Sequence, residues 1–473
     1  MTKNRKIILI LSNIFLNISI IFISYIMKSL PLEKWYLYFA VLSLIQLFVN
    51  LYTIIKLEQN FFSLTTLFLI FSYITHLGSL PIFGFGSKVS LPWNPLNTIT
   101  TDYFREACYF TVLAQSFLTF GMCYMLWKRK NRLIYTQKTI TNTDENKELY
   151  LARTIGIILI IIGIIPMLYI DINRIILYRT GGYLATFNIG TRGFVSTIGR
   201  MTEIGIMMIL IGNKRNKKKA IFIIFITLLY QSIIIFTGNR GRPVMFTITI
   251  IFIYFNFIKT IKFNDLFKMG IFSYFIGILL TFIGQIRSYS INNINTYIEL
   301  AKKSFIEFSP FKILAEFCMT IITLGRSIEF IDHTQNIQYG STYLASLYTI
   351  LPNIGGMLIP VINKAIYVYN WPDDVKLGLG GSYLGEIYWN FGNFSFFLTF
   401  FIGMFLAFIS NQIYKFYLEK KYIFLSIYLI LFPNLLWWIR DYFMSMVREF
   451  VWISIFILIL YNILNKKKYK YKN

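Results

Sequence analysis

The sequence contains few of the residues that build metal centres and disulfide frameworks. Three cysteines and two histidines occur in 473 residues. Cys108, Cys123 and Cys318 show no paired spacing, which argues against a disulfide framework and against a cysteine-built zinc site. His76 and His333 are too few for a histidine-built metal centre. We therefore expect neither a metal ion nor a cofactor.

Charged residues are also scarce. They make up 14% of the chain, whereas hydrophobic residues make up 56% and aromatic residues 19%. A soluble domain usually has about 25% charged residues. The first apolar run, Ile7–Met27, follows a basic N-terminus but is long and lacks a small-residue cleavage site, so we interpret it as a retained helix and not as a signal peptide. The composition predicts an all-α membrane protein.

The apolar runs predict about 12 transmembrane helices, since each approaches the roughly 20 residues that a bilayer requires. Basic clusters follow every second helix. Because positively charged loops stay in the cytoplasm, both termini are expected there. The predicted helices lie at 7–27, 35–55, 61–80, 106–127, 154–172, 197–212, 220–237, 244–258, 269–285, 388–411, 422–439 and 450–464.

The charge balance is strongly basic, with 46 basic and 21 acidic residues and a formal net charge of +25. In a soluble protein this excess would suggest nucleic acid as a partner. Here most lysines fall in loops that the topology places in the cytoplasm, and no aromatic–basic nucleic-acid module is visible. We expect membrane lipids as partners, and no nucleic acid.

The organisation along the chain is that of one integral membrane domain, 1–473, with a long outer loop at 286–388. Loops of this length are often functional. The stretch Phe311–Ile331 is amphipathic and is expected to lie in the membrane interface. The stretch Tyr343–Val368 is apolar but is interrupted by prolines and glycines. It predicts a re-entrant element, and an extra pair of spans is the alternative.

The arginines are distributed against the positive-inside rule. Of the 16 arginines, 11 fall in segments that this topology places outside. A guanidinium binds phosphate bidentately, which favours an anionic ligand such as a lipid pyrophosphate. The alternative is pairing with acidic residues or lipid headgroups. The i,i+3 spacing of Arg200 with Glu203, and of Arg326 with Glu329, is typical of structural ion pairs. The outer arginines are Arg105, Arg174, Arg179, Arg192, Arg200, Arg240, Arg242, Arg287, Arg326, Arg440 and Arg448.

Two short outer loops carry arginine pairs. Thr237–Pro243, TGNRGRP, contains Arg240 and Arg242, which a tight turn would bring to one phosphate. Trp437–Glu449, WWIRDYFMSMVRE, contains Arg440 and Arg448, which would share one face if the loop were helical. The alternatives are a headgroup anchor for the first loop and ion pairs with Asp441 or Glu449 for the second.

The segment Leu377–Gly392, LGLGGSYLGEIYWNFG, places a carboxylate, Glu386, at the mouth of a predicted membrane helix. Ser382 is a candidate N-cap, and Asn390 lies one turn beyond Glu386. The glycines before Glu386 are expected to leave room for a substrate. The alternative is that Glu386 only pairs with an arginine. Asp373 and His333 are weaker candidates for a functional role. Asp373 is more typical of an exposed turn, and His333 of a polar surface.

Together, the multi-span topology, the TGNRGRP loop, the long outer loop, the LGLGGSYLGEIYWNFG segment and the last arginine-bearing loop resemble the Wzy family. This family comprises bacterial oligosaccharide repeat-unit polymerases for the O-antigen of lipopolysaccharide and for capsules. The resemblance implies a class C-like glycosyltransferase of the inner or plasma membrane, with an outward-facing site and no metal. Its donor and acceptor would be glycans on undecaprenyl pyrophosphate, and a chain-length regulator would be a further partner.

The resemblance also implies roles for individual residues. Cations stabilise charge on the leaving pyrophosphate, and a positioned base takes the acceptor proton. We expect Glu386 to be the base, with Asp373 or His333 as the alternatives, and Trp371 and Trp389 to stack on sugar rings. Arg240 and Arg242 are expected to stabilise the pyrophosphate, and the further substrate-binding candidates are Arg440, Arg448, Arg287, Arg326, Asn390, Asp373 and His333.

Two other functions fit parts of the pattern. An O-antigen ligase would share the topology and the donor but would need a catalytic histidine in the long outer loop, where His333 lacks supporting neighbours. A flippase or other transporter of lipid-linked oligosaccharides would favour repeats, broken helices and charges at the bilayer midplane, whereas the charges here collect near the outer side.

Overall fold

The computed structural model describes residues 2–87, 89, 91, 94–128, 142–186, 193–238, 241–259, 270, 274–275, 277–279, 281–283, 294–306, 309–371 and 380–470. Within these ranges every regular element is a helix, as the composition predicts. The α-helices are α1 Lys3–Ile26, α2 Leu32–Glu58, α3 Leu64–Leu77, α4 Ser79–Gly84, α5 Pro95–Thr98, α6 Thr101–Trp127, α7 Asn142–Ala185, α8 Gly193–Gly212, α9 Lys217–Phe236, α10 Gly241–Ile253, α11 Ile294–Ile306, α12 Pro310–Phe317, α13 Thr320–Thr334, α14 Ser341–Tyr348, α15 Ile359–Ala365, α16 Tyr383–Phe391, α17 Leu398–Leu418, α18 Tyr422–Trp438 and α19 Met444–Lys470.

Nine helical segments of the described chain are long and apolar enough to cross a membrane, and α3 and α18 are shorter apolar helices. A polytopic all-α architecture is therefore confirmed, while the count of 12 stays a prediction. The expected helix at 269–285 lies mostly outside the described residues. In 341–365 the two helices, α14 and α15, have eight and seven residues. Both are too short to span a bilayer.

The helix starts follow local sequence signals. Ser63 precedes α3 and its side chain accepts a hydrogen bond from the Thr66 N–H. At the start of α6, the Thr100 side chain likewise accepts a hydrogen bond from the Tyr103 N–H. These side chains satisfy backbone donors that have no partner inside the helix.

The chain divides into two compact units. Unit 1 comprises residues 1–130, 309–411 and 438–447, and unit 2 comprises 131–308, 412–437 and 448–473. Both contain helices of membrane-spanning length, for example α2 in unit 1 and α9 in unit 2. Large apolar side chains on α1, such as Phe15 at 70% exposed, face outward as expected for contact with lipid.

Buried amides connect three helices of unit 1. Asn13 and Asn17 of α1 donate to the Asn50 side-chain oxygen of α2 at 3.1 and 2.8 Å. Gln46 of α2 donates to the Ser116 hydroxyl of α6 at 2.9 Å. Such interhelical hydrogen bonds contribute about 0.6 to 2 kcal/mol each in membranes. They fix the packing of α1, α2 and α6.

Each unit also contains a close helix crossing at paired glycines. In unit 1, a Cβ on Gly121 of α6 would lie 1.9 Å from the Phe400 oxygen, and one on Gly403 of α17 would lie 1.9 Å from the Leu118 oxygen. In unit 2, Gly156 of α7 and Gly205 of α8 approach each other's carbonyl oxygens in the same way. Only small residues allow backbones this close.

The predicted helix at 388–411 is wrong in its start and its continuity. A short helix, α16, ends at Phe391, and Gly392 follows with a φ of +64°. A 3-10 turn, Gly392–Phe397, then leads into α17. The left-handed backbone at Gly392 favours glycine and interrupts the α-helix. Glu386 consequently lies on a helix of its own and not at the entry of a long one.

A candidate active site around Glu386

The short helix α16 is defined by four residues of the sequence segment Leu377–Gly392. Ser382 is its N-cap, and the Ser382 hydroxyl accepts from the Gly385 N–H at 3.1 Å. Glu386 and Asn390 lie one turn apart on one face, and Gly392 ends the helix. Ser382, Glu386 and Asn390 are all 0% exposed. The segment therefore forms one short buried helix, and this helix carries one carboxylate.

Glu386 is held by neutral donors. Its Oε1 accepts from the Thr342 hydroxyl at 3.1 Å, and its Oε2 accepts from the Phe443 N–H at 3.0 Å. The Asn390 amide donates to the Thr342 Oγ1 and to the Glu386 carbonyl oxygen, both at 2.7 Å. The three segments α14, α16 and 438–443 thus meet at this carboxylate.

The pocket contains further polar groups. The Trp438 indole N–H approaches the carboxylate without the geometry of a hydrogen bond, and Asp441 lies close enough to interact electrostatically. The buried Tyr343 hydroxyl has no hydrogen-bond partner among the described residues. Burial first, and then the Glu386 carboxylate, raise the pKa of Tyr343 well above its usual value. Its phenol stays protonated and remains able to donate.

No described arginine or lysine forms an ion pair with Glu386; Lys28, Arg200, Arg242 and Arg326 pair with other carboxylates. The alternative in which Glu386 is a counter-ion for an arginine therefore finds no support among the described residues. A buried carboxylate held only by neutral donors retains a large electrostatic cost. Such groups are common at functional sites.

Behind α16 lies a polar network that no sequence pattern predicts. The His76 Nε2 and the Ser382 Oγ are 2.8 Å apart, and the His76 Nδ1 lies 2.9 Å from the Ser72 carbonyl oxygen. The Ser72 hydroxyl bonds to the Tyr383 hydroxyl at 2.8 Å and accepts from Gln115. This network ties the N-cap of α16 to α3 and α6.

The glycines before Glu386 do not leave space for a substrate, contrary to expectation. A Cβ on Gly381 would lie 2.6 Å from the Asp441 carbonyl carbon, and one on Gly380 would lie 3.2 Å from the Arg440 oxygen. One on Gly385 would lie 2.6 Å from the Tyr367 hydroxyl. The space is filled by protein, because residues 440–441 pack on Gly380 and Gly381 just before α16, and Tyr367 packs on Gly385 within it.

Arg242, in unit 2, lies in a cluster of charges. Its Nη2 pairs with Glu449, and its Nε lies 3.7 Å from the Glu203 Oε2. Arg200 pairs with Glu203 at 2.7 Å, as the i,i+3 spacing predicts. The Arg242 side chain is 16% exposed. Pairing with Glu203 and Glu449, one of the alternatives for the outer arginines, is thus present for this residue.

Arg440 and Arg448 do not share a helical face. Arg440 lies in the turn after α18, whereas Arg448 lies in the second turn of α19. The Arg448 guanidinium packs on Gly193, where a Cβ would lie 2.4 Å from its Nη1. The loop is interrupted by non-helical residues at 441–442, so the helical spacing does not apply. The remaining candidates Arg240, Arg287 and Asp373 lie outside the described residues.

Four other candidates of unit 1, Arg326, His333, Trp371 and Trp389, have partners of their own. Arg326 pairs with Glu329 at 2.6 Å, as its i,i+3 spacing predicts. His333 is exposed near the end of α13, and its Nε2 lies 3.5 Å from the Tyr103 hydroxyl. Trp371 and Trp389 are 3% and 2% exposed. The expectation that they stack on sugar rings is wrong for this conformation, because neighbouring aromatic rings cover them.

The described residues contain no group of three or more histidine, cysteine, aspartate or glutamate side chains that is placed to hold a metal ion. The arrangement around Glu386 offers one proton acceptor and two buried donors with no hydrogen-bond partner among the described residues, the Tyr343 hydroxyl and the Trp438 indole N–H. These groups suit hydrogen bonding to a hydroxyl of a substrate.

Comparison with known proteins agrees with the resemblance stated from the sequence. Neither the curated proteins nor the solved structures gave a match. The family model for the O-antigen polysaccharide polymerase Wzy matches residues 8–472, nearly the whole chain. With its all-helical architecture and its membrane-length helices, the chain belongs to the O-antigen polysaccharide polymerase Wzy family.

Proposed function

We propose that the protein polymerises lipid-linked oligosaccharide repeat units at the outer face of the bacterial inner or plasma membrane. The growing glycan moves from undecaprenyl pyrophosphate to the non-reducing end of a fresh lipid-linked unit. The nearly full-length match to the polymerase family supports the reaction class. The observation that carries the mechanism is the buried Glu386, which no described cation neutralises.

In this mechanism Glu386 acts as the general base. The acceptor hydroxyl loses its proton to the carboxylate, its oxygen bonds to the anomeric carbon, and the bond from that carbon to the pyrophosphate oxygen breaks. Negative charge develops on the leaving undecaprenyl pyrophosphate. Arginines stabilise that charge, and we assign this role to Arg240 and Arg242, with Arg440, Arg448 and Arg287 as helpers. No step requires a metal ion.

Access to the carboxylate requires a movement. Glu386 is 0% exposed, and its two oxygens are occupied by Thr342 and by the Phe443 N–H. An acceptor hydroxyl reaches it when the 438–443 segment or the start of α14 moves aside. Catalytic hydrogen bonds often form only in the substrate complex, and closing segments of this kind are common in enzymes. Substrate binding and exposure of the base are therefore coupled.

The test is Glu386→Gln in purified protein, reconstituted in nanodiscs with lipid-linked repeat units. The glutamine oxygen still accepts from the Phe443 N–H, so the fold is expected to persist, but the amide cannot take a proton. We expect elongation to fall by about 10²- to 10⁴-fold, read as polymer length on gels. Glu58→Gln is the matched control, because Glu58 is 1% exposed in the same unit.

Normal polymer length in Glu386→Gln would reject the base assignment. A wild-type protein that moves lipid-linked sugar across vesicles without elongating it would be a transporter. One that transfers glycan only to a different acceptor would be a ligase.

A further inference from the structure

Unit 1 contains a cavity of about 380 Å³ whose lining includes Tyr388 of α16. Tyr388 is two residues beyond Glu386, which places it about 200° around the helix. The cavity therefore lies on the face of α16 away from the carboxylate. Its volume is within the range of small-molecule sites. Its lining includes Glu106, Tyr109, Tyr388, Asn393, Phe394 and Phe396.

The Glu106 carboxylate in the cavity lining is paired with Lys28, which is not itself a lining residue. Both Glu106 oxygens accept from the Lys28 Nζ, at 2.7 and 2.8 Å. The Lys28 ammonium also lies 4.0 Å from the centre of the Tyr109 ring. The Tyr388 hydroxyl donates to the Asn393 Oδ1. The Asn393 amide nitrogen, on an exposed side chain, is not bonded to any described residue.

Aromatic rings make up most of the remaining wall. Tyr109 and Phe110 come from α6, and Tyr388, Phe394 and Phe396 come from α16 and the turn after it. Phe110 and Tyr388 pack edge to face, with centroids 5.1 Å apart. Phe394 is 77% exposed. Open aromatic faces beside hydrogen-bonding groups are suited to a ligand with one apolar face and a polar rim.

Charge and polarity narrow the class of ligand. A phosphate or an acidic sugar would meet the Glu106 carboxylate, and Lys28, the cation beside it, is already paired. A hydrocarbon chain would cover a charged pair and the Asn393 amide without replacing their hydrogen bonds to water, which is costly. A neutral sugar ring has an apolar C–H face for the aromatic rings and hydroxyls for Glu106 and Asn393.

We infer that this cavity binds a neutral sugar ring of the glycan substrate, at a distance from the reacting bond. The inference rests on the proposed polymerase function, because it assigns the ligand as part of that substrate. Since the cavity and the carboxylate lie on opposite faces of α16, the sugar bound here is not the one that loses a proton to Glu386. The cavity contributes affinity and sugar specificity and takes no part in bond making.

Two measurements test this inference. The first is saturation-transfer NMR of the wild-type protein in nanodiscs with methyl glycosides of neutral hexoses and N-acetylhexosamines. The second is the kinetics of elongation with lipid-linked repeat units. For Glu106→Gln and Asn393→Ala we expect the NMR signal of the bound glycoside to disappear. We also expect KM to rise by about tenfold with kcat unchanged, as for loss of hydrogen bonds in binding alone.

The controls separate folding from binding. Tyr388→Phe removes one hydroxyl without changing the ring, and it should raise KM while the thermal transition stays within a few degrees. Glu33→Gln changes an exposed carboxylate of the same unit and should change neither measurement. Glu386→Gln should keep glycoside binding while losing elongation.

The outcomes distinguish the two proposals. Unchanged KM and unchanged NMR signals in both cavity variants would overturn the sugar site while elongation by the wild type still stands. If Phe396→Ala weakens binding of undecaprenyl phosphate and Glu106→Gln changes nothing, the cavity holds a hydrocarbon chain and the inference is wrong. Absence of elongation in the wild type, with glycoside binding intact, would reject the polymerase function alone.

Discussion

At the scale of single residues, Glu386 depends on groups from distant parts of the chain. Its direct partners come from α14 and from the segment after α18. The helix that carries it is capped by Ser382, which is bonded in turn to His76 in α3. The bonds from Thr342 and Phe443 orient the carboxylate, and the bonds at Ser382 hold the helix that carries it. Precise placement of a base is worth orders of magnitude in rate.

Loss of the Ser382 cap is expected to lower both stability and the rate of elongation. Ser382→Ala removes the acceptor for the Gly385 N–H and the partner of His76, and it should lower stability by about 1 kcal/mol. Because α16 carries Glu386, kcat should also fall, by about tenfold or more. Differential scanning fluorimetry and the elongation assay measure the two effects.

Ser63→Ala is the matched control, since Ser63 caps α3 in the same unit by the same kind of bond. It should lose similar stability with much less effect on kcat. Equal losses of kcat in the two variants would mean that the Ser382 cap only stabilises the fold.

Part of the candidate site was predictable from sequence and part was not. The order Ser382, Glu386, Asn390 follows from an N-cap and a helical repeat of about 3.6 residues. Thr342 and the Phe443 N–H were not predictable, because they are 44 and 57 residues away along the chain. His76 lies 306 residues from Ser382, and a single histidine in an apolar helix carries no local signal of such a contact.

At the scale of elements, the turn at Gly392 separates α16 from α17. Hydropathy predicted one helix here, because an isolated glycine in an apolar run is usually tolerated. The structure instead has a positive φ of 64° at Gly392, which directs the chain through a 3-10 turn. An apolar run of this kind predicts the presence of helix but not its interruption, and so the site was expected at the start of a long helix.

Gly392→Ala is expected to destabilise unit 1. The substitution places a Cβ 3.0 Å from the Ile337 Cδ1 on a backbone of positive φ, which costs about 1 to 3 kcal/mol. A lower melting temperature and a loss of elongation should appear together.

Gly355→Ala separates the cost of the positive φ from the cost of the contact with Ile337. Gly355 also has a positive φ, of 63°, but an added Cβ there meets nothing within 4 Å. Its loss of stability should be smaller than that of Gly392→Ala, and elongation should persist. If the two variants behave alike, the contact with Ile337 is unimportant and backbone strain alone decides.

At the scale of the whole molecule, the distribution of charge gives the orientation, which stays a prediction. The lysine-rich loop before α9 is expected in the cytoplasm, and the end of α13 is expected outside. The described residues at both positions are exposed, for example Lys218 and Thr334. All three native cysteines are buried, so single introduced cysteines can report the side of the membrane.

Labelling with a membrane-impermeant maleimide measures the orientation. Thr334→Cys should react in right-side-out vesicles, and Lys218→Cys should react in inverted vesicles. The wild-type protein should react little in either preparation, since burial protects Cys108, Cys123 and Cys318. The reverse pattern would place the proposed site on the cytoplasmic side and would contradict an outer-face polymerase.

The complete burial of Glu386 has a consequence for the fate of an activated donor. A base open to solvent would activate water as readily as a sugar hydroxyl, and the donor would be hydrolysed. With Thr342 and the Phe443 N–H occupying both carboxylate oxygens, bulk water has no route to them in this conformation. If the acceptor itself displaces these partners, only a sugar hydroxyl is activated. Chain growth would then proceed with little loss of lipid-linked precursor to hydrolysis.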